Sequence, residues 1–165
     1  MTAREAARLA IFVAVATVLQ IAESLVPKPV PWLRLGLANA VTLLVLLRSG
    51  AAPAAAVTGV RVLLGGLVLG TIGSPAFLLS AAGASAAWAT MAAAVRVAMP
   101  PLSPLGVSVL GAAVHAGGQL VAFSFLFDVG SPALVLAPLL VSTSVPLGLV
   151  SGAVVLAVHR RLPVW

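Results

Sequence analysis

Apolar residues run along this chain in six long blocks, separated by short breaks rich in proline, glycine and serine. The blocks cover about residues 5–26, 32–47, 52–73, 75–99, 105–127 and 133–158. A helix that crosses a bilayer needs ~20 mostly apolar residues, so five blocks are long enough and the second is short. None shows the apolar/polar alternation of a membrane barrel strand, and internal pairing of every backbone polar group then requires helices. The breaks agree. Pro27, Pro29 and Pro31 punctuate the first connection, and Ser49-Gly50 ends the second block. Gly73-Ser74-Pro75 turns into the fourth block, with proline suited to a first helical position. Pro100, Pro101 and Pro104, and then residues 128–132, mark the last two connections.

Composition removes the soluble alternative. Of 165 residues 62% are hydrophobic and 7% charged, too few charges to cover a water-exposed surface of this size. The expected fold is an all-α integral membrane bundle of six transmembrane helices in one domain, residues 1–165. Arg4 and Arg8 ahead of an apolar run look like a signal peptide, but no small-x-small cleavage site follows, so the segment reads as a retained first helix. The net charge of +6 comes from scattered basic residues without a cluster or stripe, which argues against a nucleic-acid partner. Arg4, Arg8, Arg48, Arg96, Arg160 and Arg161 fall on one side, Lys28 and Arg34 on the other, and Arg61 between. The positive-inside rule then puts both termini in the cytoplasm.

Polar residues within the blocks are few: Gln20, Glu23, Asn39, Arg61, His115 and Gln119. At ~1.5 Å per residue all six lie from mid-membrane outward, which points to a polar cavity open to the outside. A guanidinium at Arg61's depth costs from ~3 kcal/mol upward unless paired or hydrated. It serves either as an anion or carboxylate anchor for a ligand or structurally, in an ion pair with Glu23 or a bond to helix carbonyls. His115 with Gln119 one turn along is either a ligand-facing pair or an interhelical hydrogen bonder. With one histidine and one glutamate inside the membrane, no metal site is expected. No nucleotide-binding, hydrolase or cofactor motif is present, so neither a cofactor nor catalytic residues are expected. Small residues make a further pattern. Ala6, Ala10 and Ala14 share one face of the first helix, suited to internal packing or to a partner helix, and Gly66/Gly70 and Gly148/Gly152 have the spacing of close helix contacts.

Three segments, with Glu23, resemble a known family. They are residues 34–44 (Arg34-Leu-Gly-Leu-Ala-Asn39 and the five that follow), residues 61–77 (Arg61-Val-Leu-Leu-Gly-Gly66 through Phe77), and residues 106–115 with Gln119. The chain resembles the bacterial membrane proteins of the heptaprenyl diphosphate synthase component I family, also labelled the Gx transporter family. That family is in turn similar to the substrate-binding S components of energy-coupling factor transporters. The resemblance implies six helices around an outward pocket, a bacterial cytoplasmic membrane location, and an alanine stripe at Ala6, Ala10 and Ala14 that docks a transmembrane coupling subunit served by an ATPase. The synthase label meets a chemical obstacle, because prenyl diphosphate synthases bind Mg²⁺-diphosphate through two aspartate-rich motifs and this chain has one aspartate, Asp128.

The leading expectation is therefore a substrate-binding transport subunit, not an enzyme, that captures an unidentified small solute through Arg61, Glu23, Asn39, His115 and Gln119, with Arg34 at the entrance. The alternative is a non-catalytic membrane accessory of a polyprenyl diphosphate synthase.

Overall fold

A computed structural model describes residues 2–26, 36–99, 102–128, 135 and 137–161. The described residues form helices without a strand: α1 (Ala3–Leu25), α2 (Leu37–Ser49), α3 (Ala51–Val68), α4 (Pro75–Val97), α5 (Pro104–Phe127) and α6 (Ala137–Arg161). All but α2 are long and apolar enough to cross a membrane. The chain is a multi-pass membrane protein.

Helix starts follow local chemistry. Thr2 and Glu5 form a reciprocal capping box on α1, each side chain bonded to the other's backbone N–H. Ser74 and Ser103 cap α4 and α5 by accepting from the amides of Phe77 and Gly106, each with proline at the first helical position.

The second helix organises the bundle. It contacts the other five, which surround it in the order α1, α3, α4, α5, α6. It carries the densest burial, with Ala38, Asn39 and every residue from Val41 to Leu46 inside. Leu43 and Val45 pack with Val57, Met91, Val107 and Val155 from α3, α4, α5 and α6. The ring exposes apolar side chains outward, among them Ile11, Val18, Leu67, Val97 and Phe125. Such a surface is stable where the solvent is lipid.

At 13 residues α2 is roughly 20 Å long, short of the ~30 Å hydrocarbon core. A helix enclosed by protein tolerates this, because neighbours satisfy its ends. Its first turn is met by α1, as described below. At its last turn Arg48 Nη2 donates to the His159 carbonyl of α6 at 2.7 Å. This bond also fixes the α2 C-terminus and the α6 C-terminus at one end of the bundle, the end at which α1 begins.

Two small-residue pairs resolve differently. On α6, a Cβ at Gly148 would lie 2.6 Å from Val109 Cα and one at Gly152 3.0 Å from Leu105 Cα, so this pair is the α5–α6 packing surface. Of the pair Gly66 and Gly70, only Gly66 lies in α3. The helix ends at Val68, and Gly70 adopts φ +63° in the turn that follows. The apolar run to residue 73 thus overstates α3 by a little more than one turn.

Candidate functional site

Three helices meet at a buried polar cluster. Arg61 of α3 is 3% exposed, Gln20 and Glu23 of α1 are 2% and 3%, and Asn39 of α2 is 6%. Arg61 Nη1 donates to Gln20 Oε1 at 3.0 Å, and Nη2 donates to Asn39 Oδ1 at 2.7 Å. Hydrogen bonds to a charged donor contribute about 1.5–3 kcal/mol each, which offsets part of the cost of burying the guanidinium. Both acceptors are neutral amides. They orient the fork.

Gly65 of α3 leaves the space that the Gln20 side chain occupies. A Cβ there would collide with Gln20 Nε2 and lie 3.0 Å from Gln20 Cδ. Only a residue without a side chain leaves room for the amide that holds Arg61. Because α3 ends at Val68, Arg61 lies roughly 11 Å from that helix end, closer than a helix running to residue 73 implies. This brings it level with Gln20.

Glu23 has a separate partner. Its Oε2 accepts from the Gly36 amide at 3.2 Å and its Oε1 from the Ala38 amide at 3.1 Å. The carboxylate caps the N-terminus of α2 from another helix, where orphan N–H groups and the helix dipole both favour negative charge. The chain can present these amides because Gly36 sits at φ +82°, in the left-handed region that favours glycine. Arg61 acts on Glu23 through space, and the carboxylate is shared between capping and the field of the cluster.

Asn39 is the hinge of the arrangement. Its Oδ1 is taken by Arg61, whereas its Nδ2, fully buried, has no hydrogen-bond partner among the described residues. A buried amide N–H₂ beside a guanidinium is a second donor aimed at the same neighbourhood.

His115 and Gln119 lie elsewhere. Both are buried on α5, whose backbone does not approach α1 or α3 among the described residues. They pack on α4 at Gly83, where a Cβ would lie 2.8 Å from both the His115 carbonyl oxygen and Gln119 Cγ. The expected five-residue constellation is thus divided, with Glu23, Asn39 and Arg61 in one cluster and His115 with Gln119 at the α4–α5 seam. Arg34 lies outside the described residues. On α1, Ala6 is half-buried while Ala10 and Ala14 are exposed, so the stripe is mostly outward-facing. Gln20 was not among the expected site residues. Its spacing of three from Glu23 puts both on one helical face, which is the signal that could have found it.

The family model described as heptaprenyl diphosphate synthase component I matches residues 12–158. The chain belongs to this family. The match includes every residue of the polar cluster and both members of the α4–α5 seam, and leaves out Ala6 and Ala10. No curated protein and no solved structure matches the sequence significantly. In this component I family member the site residues lie on α1, α2, α3 and α5, and the single aspartate, Asp128, stands at the end of α5 in a left-handed C-cap position.

Proposed function

We propose that this protein is a membrane substrate-binding subunit of a solute transporter, of the energy-coupling factor S-component type, and that it takes a small weak acid or zwitterion. The observation that carries the reading is Arg61. A buried guanidinium oriented by two neutral amides, with a buried amide N–H₂ beside it, places several donors suited to a carboxylate or phosphate in one low-dielectric place. The chain contains no nucleotide-binding motif, so uptake draws its energy from a partner, such as a transmembrane coupling subunit with its ATPase, or from an ion gradient. The protein sits in the bacterial cytoplasmic membrane with six spans and both termini inside, α2 crossing as a short helix enclosed by the others. It catalyses no reaction and needs no cofactor.

The family description favours a second reading, a non-catalytic membrane accessory to a polyprenyl diphosphate synthase. One experiment separates the two. Protein purified from its native membrane is analysed by mass spectrometry for retained small molecules, beside Arg61→Lys. The transport reading expects a small acid or zwitterion in the parent and its loss in the variant, because lysine keeps the charge but not the bidentate fork. Retention of a polyprenyl diphosphate, unaffected by Arg61→Lys, would favour the accessory reading.

A further inference from the structure

The ring around α2 is open at one place. Among the described residues α1 and α6 do not touch, and between them lies a cleft of about 400 Å³ with α2 as its floor. Phe12 and Val15 of α1, Ala40 and Leu44 of α2, and Val154 and Val158 of α6 line it, and Ser151 is its one polar residue. A second cavity of about 410 Å³ continues toward the end of the bundle where α1 begins. Phe12 lines both, and Arg8, Arg48 and Glu5 line the second.

The two are connected by helix geometry. On α1 the step from Phe12 to Arg8 is one turn, and on α2 the step from Leu44 to Arg48 is one turn, so each apolar strip runs directly into an arginine on the same face. Arg48 is anchored through Nη2 to the His159 carbonyl. Glu5 is held in the capping box, where its Oε2 accepts from the Thr2 amide at 2.6 Å. The mouth therefore carries Arg8 and Arg48 beside Glu5, and Arg160 and Arg161 follow at the exposed end of α6.

We infer that this cleft binds one anionic glycerophospholipid, with its phosphate between Arg8 and Arg48 and one acyl chain along the groove between α1 and α6. The chemistry fits in both halves. Guanidinium groups suit phosphate oxygens by geometry as well as charge. The apolar part spans roughly 10 Å along α1 from Phe12 to Leu19, a length that takes the upper part of a chain and leaves its end to the bilayer. The basic end is the one the charge bias assigns to the cytoplasmic leaflet, where anionic lipids attract arginines. Arg61 and its partners lie near the opposite end of the bundle, so the lipid site stands or falls independently of the transport reading.

The test is native mass spectrometry of the full chain in detergent micelles containing equal palmitoyl-oleoyl phosphatidylglycerol and phosphatidylcholine. The parent is expected to keep one phosphatidylglycerol at least tenfold over phosphatidylcholine. Arg8→Gln should remove that preference. Val154→Trp fills the groove from an exposed wall position and should lower retention of both lipids at least tenfold, with an unchanged gel-filtration profile showing that the fold is intact. Ala40→Phe, which fills the floor, repeats the test should Val154→Trp misfold. Equal retention of the two lipids, or phosphatidylglycerol retained by the groove-filling variants, would overturn the site. So would a dimer abolished by Val154→Trp, which assigns the cleft to a second copy. Stronger competition by a polyprenyl phosphate than by phosphatidylglycerol would overturn the phospholipid assignment.

Discussion

Arg61 of α3 donates to Asn39 of α2 at 2.7 Å, and the acceptor is a neutral amide where an aspartate of the same shape would neutralise the charge. The same holds on the other side, where Gln20 and not glutamate receives Nη1 at 3.0 Å. The one carboxylate nearby, Glu23, faces the α2 amides. The protein thus orients its buried cation with neutral groups and places its buried anion on a helix end. The proposed ligand role of Arg61 predicts that replacing one of these neutral acceptors by a carboxylate competes with a bound anion.

Asn39→Asp tests that prediction. The substituted carboxylate keeps the shape and the acceptor for Arg61 and adds a paired charge. Folding yield and melting temperature should be equal to or above the parent's. Uptake or ligand retention should fall about tenfold or more, a loss of ~1.4 kcal/mol of binding. Full ligand retention by a well-folded Asn39→Asp protein would count against Arg61 as the anchor.

Glu23 is expected to report on stability first. Glu23→Ala leaves the Gly36 and Ala38 amides buried without their acceptor, at a cost of roughly 2–5 kcal/mol. Glu23→Gln keeps one acceptor oxygen and loses the charge that favours the helix N-terminus, at about 1–2 kcal/mol. Thermal unfolding in a single detergent gives the ranking, parent above Glu23→Gln above Glu23→Ala. Equal stability of all three would show that the cap contributes nothing.

The helices were legible because five of the apolar blocks are long and their breaks carry proline, glycine and serine. The family was legible from the order of Arg34, Asn39, Arg61, His115 and Gln119. Depth was legible only in part. Counting from residue 73 placed Arg61 too far from its helix end, because Gly70 continues an apolar run without continuing the helix. The task of Glu23 was hidden for a different reason. A carboxylate that caps another helix has no local pattern, since its partners at Gly36 and Ala38 stand thirteen and fifteen positions away. The division between the Arg61 cluster and the His115–Gln119 seam was equally hidden, because equal depth says nothing about position around the ring.

Ala10 is exposed on α1. Overpacking within the bundle costs ~1–3 kcal/mol, but an exposed position has room for a larger side chain. Ala10→Leu should therefore leave the yield and melting temperature unchanged within about 0.5 kcal/mol. If the face docks a coupling subunit, as the family resemblance implies, co-purification of that subunit should fall sharply in the same variant. Loss of folded protein without selective loss of a partner would assign the alanine to internal packing.

The absence of cysteine makes topology directly testable. Ser49 is exposed at the end of the bundle that carries the start of α1 and the end of α6, and Ile72 is exposed in the turn between α3 and α4 at the other end. Each accepts a single cysteine in a chain with no background thiol. The bias of arginines toward the first end predicts that it faces the cytoplasm. An impermeant maleimide applied to intact cells should label Ile72→Cys and spare Ser49→Cys until the membrane is opened. The reverse pattern would invert the protein and put the Arg8–Arg48 cleft in the outer leaflet. Labelling of both from outside would mean that α3, the one helix between them, does not cross. The experiment therefore decides at once the orientation of the bundle and whether α3, which carries Arg61, is a membrane span.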